Sequence, residues 1–263
     1  MNILEEIIAE KRLEVIRRKR DVRASDLRDQ VHFHRAALAL RSSLVAAPHF
    51  GIIAEFKRFS PSSGGLLAGK ADAAETALAY QASGAAGISV LTDAPFFHGS
   101  LDDLRRVRDA VALPVLRKDF IIDPYQILEA KAYGADAVLL IAAVLEKTEL
   151  AELFAAAGES GLECLVELYD EKEIDILETE RMQLIGINNR DLTTFSIRKD
   201  HAIGLARLLP PEVTVVSESG IRAPEDLRHL RANGIAAALV GEYCMRADSP
   251  GDALRALLEG AAK

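Results

Sequence analysis

The sequence predicts an α/β fold, a (βα)8 TIM barrel with an N-terminal helical extension, on three observations. Eight short apolar runs follow residue 50, and they alternate with segments whose apolar residues recur at helical spacing; strict alternation is typical of parallel βαβ units. Gly84, Gly134 and Gly234 each end a helical segment just before an apolar run. Their spacing implies about 25 residues per unit, so eight units fill residues 51–260. A doubly wound sheet is the alternative, but no G-x-G-x-x-G follows the first run.

Residues 1–263 are predicted to form a single domain, with the extension over residues 1–50 and the barrel over 51–263. A first amphipathic helix is predicted from the spacing of apolar residues among Lys, Arg and Glu, namely Ile3, Leu4, Ile7, Ile8, Leu13 and Ile16. A second helix is predicted from Ser25 to about Arg41, with Ser25 as its N-cap. We expect both helices to pack on the barrel; the alternative is that a helix also covers a ligand site.

The predicted strands are near-continuous apolar runs, which is typical of a parallel sheet buried on both faces. They cover residues 51–56, 86–92, 114–120, 135–142, 162–168, 183–188, 213–219 and 236–242. In such a barrel the active site lies where the strands end and the βα loops begin. Polar residues at these ends are therefore the candidates for function.

Composition and charge exclude several classes of protein. Lys and Arg number 32 against 40 Asp and Glu, a net charge of −8, and the basic residues are scattered, which argues against a nucleic-acid binder. No apolar run approaches the roughly 18 residues that span a bilayer, and residues 1–20 lack a signal-peptide core. Neither the six histidines nor Cys164 and Cys244 show metal-ligand spacing. We expect a cytoplasmic protein without nucleic-acid or membrane partners, either a monomer or a weak homo-oligomer.

The first strand ends with two charged residues on one face. Glu55 and Lys57 are two positions apart, and burying either charge alone is costly, so an ion pair or a ligand is expected. The loop after them is rich in Ser and Gly, and Ser60, Ser62 and Ser63 are candidates to donate hydrogen bonds to an oxyanion. A pair that merely fills the barrel is the alternative.

Lys118 ends the third strand and Glu167 the fifth. Lysine is a compact cation whose pKa falls readily when it is buried or lies beside another cation, so Lys118 is a candidate to act as a general acid or to form a Schiff base. A surface salt bridge between Lys118 and Asp119 is the alternative, although Asp119 faces the other side of a regular strand. Burial in an apolar run predicts a raised pKa for Glu167, suited to acid catalysis.

The last three strands end in polar and glycine-rich loops. Asn188 and Arg190 share a face at the sixth strand, and Arg190 suits carboxylates or phosphates, whereas Asn189 is expected to stabilise the turn. Loops after strands seven and eight form the standard phosphate site of these barrels; they contain Glu218, Ser219, Gly220, Gly241 and Glu242.

An aromatic pocket is the last candidate feature. Phe96 and Phe97 follow the second strand and Phe120 the third, and simple packing is the alternative for each.

The excess of Asp and Glu over Lys and Arg lies largely in the helical segments, where these residues serve solubility. We therefore expect Lys57, Lys118 and Arg190 to concentrate positive potential at the mouth, suited to an anionic small molecule.

Taken in order, the motifs resemble the indole-3-glycerol-phosphate synthase family over nearly the whole chain. They are IIAEFKRFSPSSG, LTDAPFFHGSLDDL, LRKDFIIDPYQI, LVEL, IGINNRDL, SESGI and LVGEYCMR. The resemblance implies a (βα)8 barrel whose helical extension lies over the mouth. It implies ring closure, decarboxylation and dehydration of 1-(2-carboxyphenylamino)-1-deoxyribulose 5-phosphate, with no cofactor and no metal.

The resemblance also implies roles for single residues. Lys118 would protonate the carbonyl, Glu167 would be an acid–base group, Lys57 would pair with Glu55, and Asn188 would position catalytic groups. Further positions match the family's substrate contacts (Arg190 and Ser219), phosphate site (Ser60, Gly220 and Gly241) and anthranilate pocket (Phe97 and Phe120). Which lysine and glutamate act in condensation and which in dehydration stays open.

Two residues depart from the family pattern. Glu242 stands where many members have Ser, which leaves a backbone contact to phosphate but removes a side-chain contact. Tyr169 stands where members often carry His, in a loop after the fifth strand.

Three other interpretations share the predicted barrel. A Schiff-base aldolase or lyase would use Lys118 or Lys57 as its nucleophile. A phosphoribosylanthranilate isomerase would need a Cys/Asp pair at strand ends, whereas Cys164 lies in mid-strand. A non-catalytic phosphate-binding barrel would have no need of these acid–base residues.

Overall fold

The structure, a computed structural model, describes residues 2–61, 64–65, 71–191 and 193–263. Eight parallel strands close into one barrel in sequence order. They are β1 (Gly51–Phe56), β2 (Gly87–Leu91), β3 (Val115–Lys118), β4 (Ala137–Ile141), β5 (Glu163–Leu168), β6 (Leu184–Asn188), β7 (Thr214–Glu218) and β8 (Ala237–Val240). Ile53 of β1 pairs with Gly87 on one side and Leu239 on the other, which closes the barrel. The predicted fold class is confirmed, and each strand lies within its predicted run.

Helices cover the outside of the barrel and form the extension. The extension contains α1 (Ile3–Asp21), α2 (Ala24–Arg28) and α3 (Leu40–Val45), and the barrel contains α4 (Ala73–Ala82), α5 (Ala94–Phe97), α6 (Leu101–Ala110), α7 (Pro124–Ala132), α8 (Lys147–Glu159), α9 (His201–Ala206), α10 (Pro224–Ala232), α11 (Glu242–Met245) and α12 (Pro250–Ala262). Between β5 and β6 the chain forms a 3-10 helix over Glu171–Ile176. Residues Phe59–Ser60 and Gly64–Gly65 pair as a small antiparallel ribbon after β1.

The strands alternate between two apolar layers. Their inward side chains form one buried cluster, which includes Ile53, Leu116, Leu165, Val216 and Leu239. Their outward side chains pack under the helices in a second cluster. Because side chains alternate along a strand, the residue two positions after each inward apolar residue also points inward. Those next positions are Glu55, Lys118, Glu167, Glu218 and Gly241, so the strands deliver them to one end of the barrel interior.

The extension contacts both ends of the barrel. Leu40 and Leu44 of α3 join the inward-facing cluster, and the backbone N–H of Arg41 donates to Glu163 at the start of β5, 2.9 Å away. At the opposite end, Lys11 of α1 forms ion pairs with Asp93 and Asp119, just beyond β2 and β3. The extension therefore packs on the barrel as predicted, with α3 closing the bottom and α1 lying beside the mouth.

The predicted second helix is wrong. The structure has only the short α2, with Arg23 at its N-cap and Ser25 inside it, and residues 29–39 are turns and extended chain. Buried Asp136 accepts hydrogen bonds from the Leu38 backbone N–H, at 2.7 Å, and from the Arg35 guanidinium, at 2.6 Å. These contacts hold residues 29–39 against the barrel and outweigh the helical periodicity of their sequence.

Among the described residues, no helix has the length and apolar character that crossing a bilayer requires.

Candidate active site

One cavity opens at the carboxyl ends of the strands, and apart from Phe96 every predicted site residue in the described part of the chain lines it. They are Glu55, Lys57, Ser60, Phe97, Lys118, Phe120, Glu167, Asn188, Arg190, Glu218, Ser219, Gly220, Gly241 and Glu242. Ser62 and Ser63 lie outside the described residues. Side chains from all parts of the barrel sequence therefore meet at one place, as expected for the strand ends of a barrel.

Glu55 and Lys57 form an ion pair at the end of β1, with Lys57 Nζ 2.5 Å from Glu55 Oε1. The Glu55 side chain is buried and Lys57 faces the cavity. A Cβ at Gly241 would collide with the Glu55 carboxylate. Gly241 thus makes room for Glu55, and its predicted contact with phosphate stays a prediction.

Lys118 lies between two carboxylates from neighbouring strands. Its Nζ is 2.7 Å from Glu167 Oε2 and 3.0 Å from Glu218 Oε2. The second oxygen of Glu167 accepts a hydrogen bond from Asn188 Nδ2 at 3.0 Å. The alternative, a surface pairing of Lys118 with Asp119, is wrong, since Asp119 is buried and its carboxylate pairs with Lys11 and Arg117.

The protonation state of Glu167 differs from the predicted one. Burial opposes the charge on Lys118, but the neighbouring Glu167 and Glu218 outweigh this effect and raise the Lys118 pKa above its usual value. Burial likewise opposes the charge on Glu167, yet the adjacent Lys118 ammonium and the hydrogen bonds from Lys118 and Asn188 lower its pKa, where a raised value was predicted. The predicted burial effect appears instead at Glu218. Burial, opposed by Lys118 and reinforced by Glu167, raises the Glu218 pKa to about 8.

Local packing explains why Glu218 is the protonated member. Its Oε1 is buried and has no hydrogen-bond partner in the described part of the chain. Glu167, in contrast, receives donors at both oxygens. Hydrogen-bond donors stabilise the ionised form of a carboxyl group, and Glu218 has fewer of them than Glu167. The proton therefore resides on Glu218 at neutral pH.

Arg190 lies on the far side of the cavity and contacts a carboxylate. Its Nη2 is 3.1 Å from Glu242 Oε2, and Arg246 binds the other Glu242 oxygen at 3.0 Å. Lys57, Lys118 and Arg190 therefore each have an acidic partner at the mouth. The concentration of positive potential that we expected from these three cations is offset by their own partners.

The loops after β6 and β7 have a defined backbone geometry. Ser219 and Gly220 both adopt left-handed conformations, with φ of 64° and 87°, which is unusual for Ser and suits Gly. Asn189 braces this turn: its Nδ2 donates to the carbonyls of Glu218 and Ser219 at 3.0 and 3.1 Å. The prediction that Asn189 stabilises the turn is confirmed, and α10 begins at Pro224, four residues after Gly220.

Two aromatic side chains form one wall of the cavity. The ring centroids of Phe97 and Phe120 are 6.1 Å apart and the rings are tilted, a geometry typical of interacting aromatic pairs. Phe96 does not line the cavity, so its predicted place in the aromatic pocket is wrong; like Phe97, it packs against the apolar cluster inside the barrel.

A family sequence model for indole-3-glycerol phosphate synthase matches residues 4–257. The chain belongs to the indole-3-glycerol phosphate synthase family. It acts as a decarboxylating lyase of tryptophan biosynthesis.

Curated relatives agree with this assignment over most or nearly all of the chain. The indole-3-glycerol phosphate synthase of Rhodopirellula baltica is 46% identical over 258 residues, covering 98% of this chain and 99% of its own. The Bordetella pertussis enzyme is 51% identical over 208 residues, 79% of each chain.

Solved structures show the fold alone. A tryptophan synthase alpha-subunit mutant from Pyrococcus furiosus superposes with a TM-score of 0.59 at 14% identity, covering 81% of this chain and 98% of its own. A structure titled "Native KDPGal structure" gives 0.57 at 16% identity, with coverages of 80% and 93%.

Several residues at this family site were missed from the sequence. Phe195, in the loop after β6, has a left-handed backbone (φ 58°) and lines the cavity. Gly186 lies inside β6, where a Cβ would collide with Glu218 Oε1. A glycine inside an apolar strand was the available signal, since it often marks a close approach. Leu139, Ile141 and Leu239 are among the apolar residues that line the cavity, but nothing distinguishes them in sequence from core residues.

Proposed function

We propose that this site converts 1-(2-carboxyphenylamino)-1-deoxyribulose 5-phosphate to indole-3-glycerol phosphate, CO2 and water, with Lys118 as the acid for ring closure. The observation that supports this is the Glu167–Lys118–Glu218 arrangement on the cavity wall. The Glu167 carboxylate, with the Glu218 carboxyl group on the other side, holds Lys118 as an ammonium ion in the cavity lining, the form that donates a proton to a carbonyl oxygen.

In the first step, the aryl carbon that bears the carboxylate attacks the ketose carbonyl carbon, and the carbonyl oxygen takes a proton from Lys118. Loss of CO2 from that aryl carbon leaves its electron pair in the ring and restores aromaticity, so no electron-sink cofactor is required. Glu218 holds a proton beside Lys118 at neutral pH. It is therefore placed to return one to the lysine, with Glu167 keeping the ammonium in position.

The second step removes water. The new hydroxyl leaves with a proton from an acid while a base takes a proton from the carbon next to nitrogen. Lys57 and Glu55 form a second acid–base pair on the same cavity wall, and we assign the dehydration to them. Two protons enter and one leaves over the sequence, so the reaction consumes one proton from solvent as the substrate carboxylate departs as CO2.

Substrate binding is assigned to the remaining residues. Phe97 and Phe120 hold the aryl ring, Arg190 and Ser219 contact polar substrate groups, and Asn188 positions Glu167. The phosphate site comprises Ser60, Gly220, Gly241 and the backbone of Glu242. The left-handed pair at Ser219 and Gly220 supports the phosphate assignment, since such a turn exposes backbone N–H groups.

Single-turnover kinetics with substrate labelled at the carboxylate separate the two lysines, because CO2 leaves before water does. Lys118→Gln should block CO2 release and indole formation together. Lys57→Gln should release CO2 but form indole slowly. Indole fluorescence reports the product cleanly since the chain has no Trp. Equal effects on both steps from Lys57→Gln would refute the division of roles.

The Schiff-base alternative is disfavoured by the charge on Lys118. A nucleophilic amine must be neutral, whereas Glu167 and Glu218 raise the Lys118 pKa. Borohydride reduction during turnover should leave both Lys118 and Lys57 unmodified, and a stable adduct on either would overturn the non-covalent mechanism.

Further proposals concern the whole chain. Residues 1–263 act as one domain, which the contacts of α1 and α3 with opposite ends of the barrel support. A cytoplasmic, monomeric or weakly oligomeric enzyme without nucleic-acid partners is consistent with the acidic composition.

A further inference from the structure

A lysine of the extension is buried beside the mouth of the barrel. The side chain of Lys11, on α1, is only 1% exposed. Its Nζ is 2.8 Å from Asp93 Oδ2, 2.8 Å from Asp119 Oδ1 and 2.7 Å from Glu14 on its own helix. Asp93 and Asp119 follow β2 and β3, so one ammonium group bridges two strand ends.

Docking of α1 on the barrel does not require this charge. Ile7 and Val15 are buried and supply apolar contact along the helix. Burying a lysine with its carboxylates costs free energy, and a hydrophobic residue in its place is often at least as stabilising. The bridge therefore suggests a need for specific geometry at the strand ends rather than for attachment of the helix.

The ion pair of Lys11 with Asp93 connects α1 to the position of Phe97. Asp93 is the N-cap of α5, where its Oδ1 accepts the Phe96 backbone N–H at 2.8 Å. Lys11 holds the other oxygen, which has no hydrogen-bond partner elsewhere in the described chain. Helix α5 is four residues long and ends at Phe97. Fixing its cap therefore fixes the position of that ring.

The ion pair of Lys11 with Asp119 connects α1 to the position of Phe120. Asp119 Oδ1 accepts the Phe120 backbone N–H at 2.8 Å as well as the Lys11 ammonium. Its Oδ2 is held by Thr92 and Arg117, at 2.5 and 3.0 Å. The Asp119 carboxylate thus ties the backbone of Phe120 to α1.

We propose that Lys11 is a positioning residue that sets the separation of Phe97 and Phe120, and through it the binding of the substrate's aryl ring. Among the described residues, none of α1 lines the cavity, so this influence is indirect. The proposal rests on the assignment of the two phenylalanines to the ring in the proposed function. Lys118 is held by carboxylates of β5 and β7, so the chemical step should depend much less on Lys11.

The test is the steady-state kinetics of Lys11→Met, which keeps length and removes charge. KM for the aminodeoxyribulose phosphate should rise about ten-fold while kcat changes less than about two-fold. Asp93→Asn, which weakens only the α5 branch, should raise KM in the same direction. The double variant should show less than the sum of the two effects, since both break one bridge.

Two controls separate positioning from stability. Leu27→Ala loosens α2 against Tyr125 and Ala132 of α7, a cluster that contains neither Lys11 nor its carboxylate partners, and should lower the melting temperature without raising KM. Lys19→Met removes the exposed ion pair of α1 with Asp123 and should leave both the melting temperature and KM unchanged.

Binding of anthranilate and of inorganic phosphate probes the two ends of the site separately. Lys11→Met should weaken anthranilate binding and leave phosphate binding unaltered.

The outcomes are distinct. An unchanged KM in folded Lys11→Met, or an equal rise in Leu27→Ala, would overturn the positioning role. A fall in kcat at constant KM would show that Lys11 acts on Lys118 instead. If Lys11→Met does not fold, Asp93→Asn decides by the same criteria. Failure of the wild-type protein to turn over the substrate would refute the proposed function itself, independently of Lys11.

Discussion

The carboxylate of Glu218 occupies the space above Gly186 that a side chain on the neighbouring strand would otherwise fill. Gly186 and Val216 are paired in the β6–β7 register, and Glu218 projects inward two positions later. The missing Cβ lets Glu218 approach Lys118 to 3.0 Å. A residue without a side chain thus defines the position of a proposed proton-carrying group.

Gly186→Ala adds only one methyl group, yet it should reduce activity strongly. The new methyl group would push Glu218 away from Lys118, and overpacking costs about 1–3 kcal/mol of stability. We expect kcat to fall about ten-fold or more, because small displacements of catalytic groups are costly. Gly158→Ala is the matched control, since a Cβ there meets no atom within 4 Å; equal kinetics for the two variants would contradict the argument.

The Glu218 pKa of about 8 predicts an alkaline limb in the pH–rate profile. Above that pH Glu218 loses its proton, leaving two carboxylates beside Lys118 and no neighbouring proton source. kcat/KM should fall as pH rises through about 8. Glu218→Gln cannot ionise, so it should have lower activity and should lack this limb; an identical limb in the variant would assign it to another group.

The same group gives stability a pH dependence whose sign follows from linkage. In the unfolded chain Glu218 ionises near 4.5, and in the folded chain near 8, so between these values the folded state binds the extra proton. Its contribution to stability is full below pH 4.5 and is lost as pH rises to about 8. Thermal melts should show Glu218→Gln gaining stability relative to wild type as pH rises over that window. A constant difference between the two proteins would contradict the raised pKa.

Lys118→Ala should lower turnover by about 10²–10⁴-fold, the range typical of a lost general acid. It should also destabilise the fold, because Glu167 and Glu218 lose the cation that both contact, and removing one partner of a buried pair costs about 3 kcal/mol or more. The loss should be smaller at acidic pH, where the carboxylates take up protons. Circular dichroism and melts over pH check the structure, and an unaltered rate would exclude the proposed role.

Glu242→Ser replaces an acidic residue with the one that many family members carry. It removes the partner of Arg190 at 3.1 Å, which competes with substrate anions for the guanidinium. We expect KM to fall a few-fold, with stability nearly unchanged because the pair is partly exposed. Arg246→Gln is the control, since it removes another ion-pair partner of Glu242 and leaves the Arg190 contact in place. A higher KM in Glu242→Ser would show that the carboxylate serves binding instead.

The sequence by itself determined the barrel fold and which residues lie at the carboxyl ends of its strands. Apolar periodicity is a local property, so eight strand runs were visible, and a charged residue in such a run is costly unless it faces a site. That reasoning located Glu55, Lys118 and Glu167, and the fold places them around one cavity. The resemblance to known motifs added the reaction.

Only the tertiary structure decided how these groups are paired and protonated. The proton lies on Glu218 rather than Glu167 because Lys118 and Asn188, from other strands, donate to Glu167, while Gly186 leaves Glu218 a buried oxygen without a partner in the described chain. Likewise, the chain before α3 follows Asp136 instead of its own helical periodicity. These outcomes depend on contacts between residues far apart in sequence, and such contacts exist only once the barrel has closed.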